Sequence, residues 1–376
     1  MMGTASHGGS SVPARVSTVS GPDVHDRRFT AQLLSGPPAS SPIEVVERLL
    51  AVQGQDSRGA RLAVRARTSG LTAADVDRAL TQDKSLLITW LNRGTLHLIR
   101  SEDYWLLHRI TAKPQFQIGA RRVLARHGVS AAASDHAVGV VERALAADGP
   151  LTRAQLADRL VSSGLPPTGG VALHVLILAS LRGIAVRGPM LGAQHGYVHV
   201  RDWLGRPPPE PEPEAALAWL ARRYLAGHGP AADHDLAKWA GLPVTWARRG
   251  MTAIASELAD RPDGLAELAG APAYATGPPP RLLGPFDPVL LGWSSRAAVL
   301  HDRHQEIVTT NGVFRPFALV AGRAAGIWSY RSGQVELRPF DPMPADVTAA
   351  LDAETADVRR FLATEPAAAP GAGAED

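Results

Sequence analysis

The chain has 376 residues, 45% of them hydrophobic and 20% charged, with a formal net charge of +3. That is the composition of a folded protein of two or three modules, and it excludes disordered and fibrous classes. With no cysteine, disulfides, thiolate catalysis and cysteine metal sites are ruled out, and a reducing, cytoplasmic setting is expected.

In chain order, residues 1–28 are rich in Gly, Ser and Pro and lack the apolar core of a secretory signal, so they read as a flexible arm. No run of residues approaches a membrane span. Residues 29–130 make a first module. Helices are expected at 43–53 and 72–81, followed by "LLITWLNRGTLHLI" as a strand pair in which Arg93, Thr95 and His97 alternate with Leu96 and Leu98. Residues 131–206 make a second module. A helix over 134–149 is capped by Ser134, another over 151–164 opens on a Thr152–Gln155 capping box, and a third over 169–183 stops at Gly183. Two short strands around a Gly-rich loop then fill 184–200. Three helices and a β-hairpin in that order make a winged helix.

Residues 207–280 repeat the order of elements with three helical stretches and a reduced wing, "LAELAGAPAYAT". Proline-rich spacers at 205–214 and 275–280 bracket this third module. Residues 281–345 change character, with hairpin signals at Asn311-Gly312 and Ser332-Gly333, and 346–376 read as a helix and an acidic tail. The fold expected is α+β: three tandem winged-helix modules plus a small C-terminal antiparallel β element.

Charge is unevenly spread along this order. Arg58 to Arg126 holds thirteen Lys/Arg against five Asp/Glu, whereas Asp341 to Asp376 holds two against eight. A basic block of this kind is either a solvated arginine face or a surface for an anionic partner. On the second reading Arg58, Arg61, Arg65, Arg67, Arg121 and Arg122 offer phosphate contacts, and binding is salt-sensitive and indifferent to sequence.

The stretch "LLAVQGQD" places Gln53 and Gln55 on either side of Gly54, with Asp56 behind. Ser41-Pro42-Ile43-Glu44 is a capping box with proline at the first helical position, so a helix approaches this stretch. Gly54 is the expected left-handed terminator. Inside one helix, residues i and i+2 point about 200° apart, whereas a break at Gly54 lets both amides swing to one side. Taken alone, Gln53 caps its helix, Gln55 is solvated, and Asp56 caps the next element.

Taken together, "LLAVQGQDSRGARLAVRAR", "WLNRGTLHLI" and "LLGPFDPVLLGWSSRAAVL" resemble the AlkZ-type winged-helix DNA glycosylases over residues 29–340. The resemblance implies three winged helices wrapping double-stranded DNA and removal of N7-alkylated guanines. Members of the family unhook interstrand crosslinks or protect antibiotic producers from their own alkylators. It also implies a monomeric bacterial enzyme near the nucleoid, with a Gln-Φ-Gln catalytic signature matched by Gln53 and Gln55. The departure is Gly54, where an apolar residue is expected.

Glutamine suffices chemically if the leaving base is already cationic. Most glycosidases need carboxylates to protonate a poor leaving group, but an N7-alkylguanine departs unaided. The enzyme then has to orient water and sugar, which is worth about 7–11 kcal/mol in favourable cases. On this reading Gln53 positions the water and Gln55 meets the sugar or the same water. No neighbouring lysine is available for a lyase reaction. His97 reads as a wing residue that either bonds locally or reaches DNA together with Arg93 and Thr95. No metal and no other cofactor is expected, since the thirteen histidines show no ligand spacing. Trp90, Trp105 and Trp239 sit in apolar surroundings and read as core. The alternatives are a winged-helix transcriptional regulator without catalytic activity, or a scaffold of degenerate winged helices.

Overall fold

A five-stranded antiparallel sheet in the order β1-β3-β2-β4-β5 organises the computed structural model, which describes residues 22–273 and 277–363. The expected arm before residue 22 and the tail after 363 lie outside the described residues. The rest of the expected arm is not coil, because α1 (Pro22–Ala31) begins within it.

The first part of the chain runs α2 (Pro42–Leu49), β1 (Val52–Gln53), α3 (Ser57–Arg65), α4 (Ala73–Thr81), β2 (Leu86–Trp90), β3 (Leu96–Arg100), α5 (Tyr104–Thr111) and α6 (Pro114–Arg126). The Ser41 hydroxyl accepts from the Glu44 N–H at 3.2 Å and opens α2. The helix expected over 43–53 stops at Leu49, however, and its last residues are given to a strand.

The second part runs α7 (Ala131–Asp148), α8 (Arg153–Ser162), α9 (Gly169–Leu181), β4 (Ala185–Leu191), β5 (Gln194–His199) and α10 (Val200–Leu204). The Thr152–Gln155 capping box forms as expected. Ser130, not Ser134, caps α7, accepting from the Ala133 N–H at 3.1 Å. Ser134 lies buried one turn inside, its hydroxyl satisfied by the Ser130 carbonyl.

Next come α11 (Pro213–His228), α12 (Asp233–Ala240) and α13 (Val244–Ala253). The wing expected after them reduces to isolated bridges, Ala231 with Ala266 and Leu258 with Leu268; its last residues, 274–276, lie outside the described ones. The chain ends with β6 (Arg281–Leu283), α14 (Ala297–Leu300), α15 (His304–Ile307), β7 (Phe317–Val320), β8 (Arg323–Arg331), β9 (Gln334–Pro339) and α16 (Ala345–Leu362). Strands β6 to β9 form a second antiparallel sheet. The Ser332-Gly333 turn joins β8 to β9 with both residues at positive φ, as a two-residue hairpin requires. The Asn311-Gly312 turn also forms, but it closes only a single bridge, Val308 with Phe314.

The sheet of five strands divides the core. Side chains alternate across a strand, and the pairing puts Val52, Ile88, Leu98, Ala185 and Tyr197 on one face. There they join the buried residues of α2 to α4 and α7 to α9. Leu87, Ile99, Val186 and Val198 face the other way and join those of α5 and α11 to α13. Strands from the first and second parts share this sheet through the Ile88–Arg187 pairing.

Candidate active site

The site begins where α2 fails to continue. Leu50 takes φ 62°, a conformation that costs a side-chain-bearing residue energy, and the chain turns into β1. Val52 pairs with Leu98 and Gln53 with His97, and the Gly54 N–H donates to the Leu96 carbonyl at 2.8 Å. Gly54 is therefore extended, not the left-handed terminator its place in the sequence indicated. The i, i+2 spacing of extended chain, unlike that of a helix, returns alternate side chains to one side.

Gln53 shares its face with His97, and His97 pairs in turn with Thr89 on β2. Three polar side chains thus cross three strands in a row on an otherwise apolar face. All are buried: Gln53 is 8% exposed, His97 2% and Thr89 0%. The Thr89 hydroxyl and both amide atoms of buried Asn92 have no partner among the described residues. Such orphaned groups are costly in a core and mark places where a ligand or water completes the bonding.

Arg93 closes the row from above. It sits at φ 60° in the turn between β2 and β3. Its Nη2 donates to Gln53 Oε1 at 3.3 Å, and its Nη1 donates to the Trp239 carbonyl at the end of α12. Burial, with help from the charge of Arg296, lowers the Arg93 pKa to about 10. Burial first, and Arg93 second, pull His97 down to about 3, so His97 is neutral. Its Nδ1–H donates to the Thr95 carbonyl at 3.0 Å. Thr95 uses its own hydroxyl on the Asn92 carbonyl at 3.1 Å. His97 therefore bonds locally, the first of the two readings given to it, and the Thr95 hydroxyl is likewise engaged inside the turn.

Gln55 is exposed, one residue beyond the last rung of the ladder. Asp56 has other work: its Oδ1 accepts from the Gly59 N–H at 2.7 Å and caps α3. A side chain at Gly59 would put its first carbon 2.5 Å from the Pro285 carbonyl, so the "LLGPFDP" segment packs directly on this helix start.

The six arginines expected on phosphates separate into two groups. Arg61 is buried and pairs with Asp77. Arg65 is held by Glu354 and Asp357, each at 2.9 Å. Arg67 makes a two-pronged bond to Asp287, both arms at 2.9 Å and both side chains fully enclosed. These three are internal ties, a correction to the surface reading: amphipathic α3 turns Arg61 towards α4 and Arg65 towards α16, and Arg67, just past the end of α3, meets Asp287. Arg58 lies over the Tyr330 ring at 5.3 Å, Arg121 pairs with Asp135 at 2.8 Å, and Arg122 is exposed. Thr89, Asn92 and Arg296 went unnoticed in the sequence. The one available signal was a lone polar residue in the apolar run "LLITW".

A family described as DNA glycosylase AlkZ-like matches residues 46–361, which takes in the glutamine pair, the Arg93 turn and Arg296. The chain belongs to that family. Its similarity to the interstrand DNA cross-link repair glycosylase of Streptomyces sahachiroi is 29% identity over 362 residues, covering 89% of this chain and 94% of the relative. The solved structure of the Streptomyces sahachiroi DNA glycosylase AlkZ superposes with a TM-score of 0.70 at 28% identity, covering 90% of this chain and 95% of that one. As an AlkZ-like glycosylase the chain has a DNA substrate, and among its described residues no helix is long and apolar enough to cross a membrane.

Proposed function

We propose that this AlkZ-like protein hydrolyses the N-glycosidic bond of bulky N7-alkylguanines in double-stranded DNA, as a monomeric, monofunctional glycosylase. The observation that carries the reading is the arrangement at β1. A buried glutamine amide is held by an arginine, an exposed second glutamine follows, and the adjacent carboxylate, Asp56, is spent on a helix cap. This is a site for orienting water, not for donating protons.

In the proposed reaction the C1′–N9 bond breaks and its electron pair neutralises the cationic base, which leaves without protonation. The Gln53 carbonyl keeps one lone pair beside its bond to Arg93; it orients the attacking water, and Gln55 meets the sugar. The water oxygen bonds to C1′ and its proton passes to solvent, leaving an abasic site. Fixed dipoles in a dry site need no reorganisation as charge develops. The order α7, α8, α9, β4, β5 supports reading the modules as winged helices that cradle the duplex. The name of the cross-link repair relative supports extending the substrate to crosslinked guanines, with self-resistance to a DNA-alkylating metabolite as the setting. A regulator without activity has less support, since both the family and the relative are named for glycosylases.

The test is single-turnover release from a duplex with one N7-alkylguanine. Gln53→Ala and Gln55→Ala should each fold, bind DNA and slow release by about tenfold or more, roughly 1.4 kcal/mol per decade. The product should break only on alkali treatment. Asp56→Asn should change little, because asparagine caps a helix as well as aspartate does. An inactive Asp56→Asn beside active glutamine variants would move the chemistry to the aspartate.

A further inference from the structure

Among the described residues, buried and half-buried arginines near the core are answered by acids or rings. Arg61, Arg65 and Arg67 have carboxylates, and Arg187 lies between the rings of Trp90 and Tyr197. Arg93 is the exception. It touches two neutral oxygens, Gln53 Oε1 and the Trp239 carbonyl, and no carboxylate among the described residues pairs with it. A guanidinium carries five N–H donors, so three remain.

A neighbouring charge makes the imbalance worse. Arg296 bears on Arg93 as a like charge. It donates its Nε to the Leu290 carbonyl at 2.7 Å and lies over the Phe314 ring at 5.0 Å, again with no acid among the described residues. Lys238, on the same α12 that supplies the Trp239 carbonyl, donates to the Ser294 carbonyl at 3.1 Å, two residues before Arg296. Arg93 thus stands beside Gln53 with Arg296 as a like-charged neighbour, both half-buried, and no carboxylate among the described residues pairs with either. A cationic base and a sugar gaining positive charge would be repelled from such a place. An anion that arrives with the substrate resolves the conflict, and in DNA that anion is a phosphodiester.

We propose that Arg93 and Arg296 receive the phosphodiester flanking the damaged nucleotide, and that Arg93, bonded to Gln53 Oε1, couples the seating of that phosphate to the orientation of the catalytic amide. This rests on the reading of Gln53 given above. Arg93 is then a positioning residue: it bonds the DNA backbone on one side and the water-orienting amide on the other. Phosphate contacts fix register without reading sequence, so the device suits an enzyme whose cue is a lesion in any context.

The test replaces single phosphates near one N7-benzylguanine, a bulky alkyl adduct, with neutral methylphosphonates and follows single-turnover release by the wild-type protein, which needs no variant to fold. At one position adjacent to the lesion, neutralisation should slow wild-type release by about tenfold. In Arg296→Ala, and in Arg93→Lys as an independent variant, the same methylphosphonate should cost no more than about twofold, because the contact is already weakened. A variant that is merely misshapen would keep the full methylphosphonate penalty. Equal penalties in wild type and variants at every position, or no position with a penalty, overturn the proposal. Unmodified duplex with wild type and Gln53→Ala tests the glutamine reading separately. Should that reading fail, affinities for the same methylphosphonate series carry the same comparison between wild type and variants.

Discussion

His97 and His228 show how a residue's surroundings override its ordinary chemistry. Both are enclosed, at 2% and 0% exposure, and burial leads the causes that lower each pKa from 6.5 to about 3. Unfolded, each takes up a proton near pH 6.5; folded, neither does until about pH 3. The unfolded chain binds more protons throughout that window, so stability is full above about pH 6.5 and falls as pH drops through it. Each group contributes roughly 1.4 kcal/mol per pH unit, so the pair should cost about 2 kcal/mol between pH 6 and 5. Urea unfolding at pH 7, 6 and 5 measures this, and a flat profile would mean that both rings are solvated or already charged in the fold. The glutamine pair was visible in the sequence as a motif. The bond from Arg93 to Gln53, across forty residues, was not, because it depends on the register of β1 against β3.

At the scale of elements, capping and turn chemistry carried far. The hydroxyl cap at Ser41, the box at Thr152 and the Ser332-Gly333 turn work as local rules require, because each is settled within four or five residues; at Ser41 only half the box forms, since the Glu44 carboxylate accepts from the Ser40 N–H instead. Where a partner lay elsewhere, local rules failed. The helix through residue 53 lost its last turn to β3, whose edge offers Val52, Gln53 and Gly54 ladder bonds. Extended Gly54 has room for a side chain: a β-carbon there would lie 3.4 Å from Ile88 Cγ2 and 3.5 Å from the Leu98 N, ordinary contact distances. Gly54→Ala should therefore raise stability by about 0.4–1 kcal/mol, by narrowing the unfolded ensemble. A lowered denaturation midpoint would show that the strand cannot take a methyl group.

Across the whole molecule, the ties are ionic as well as apolar. Arg67 and Asp287, 220 residues apart, are both fully enclosed, and Gln32 adds its carbonyls to the same guanidinium. A buried pair contributes little net stability when intact, but losing one partner strands the other charge and costs about 3–5 kcal/mol. Asp287→Ala should lose stability on that scale in denaturant titration. A loss under about 1 kcal/mol would show that Arg67 reaches water or another acid.

Composition, alternating and amphipathic patterns, caps and the family motifs were enough to establish a mixed helical and sheet protein, two antiparallel strand pairs before residue 201, and Gln53 and Gln55 as the residues to examine. These properties reside in neighbouring residues. What the tertiary structure alone decided is which arginines meet carboxylates and how the Gln53 amide is held. An arginine-rich helix reads the same whether its guanidinium groups meet water or carboxylates brought in from two or three hundred residues away. Arg65 and Arg67 meet Glu354 and Asp287, while Arg93 meets no acid among the described residues. Only the packing of distant segments separates a structural tie from a free charge.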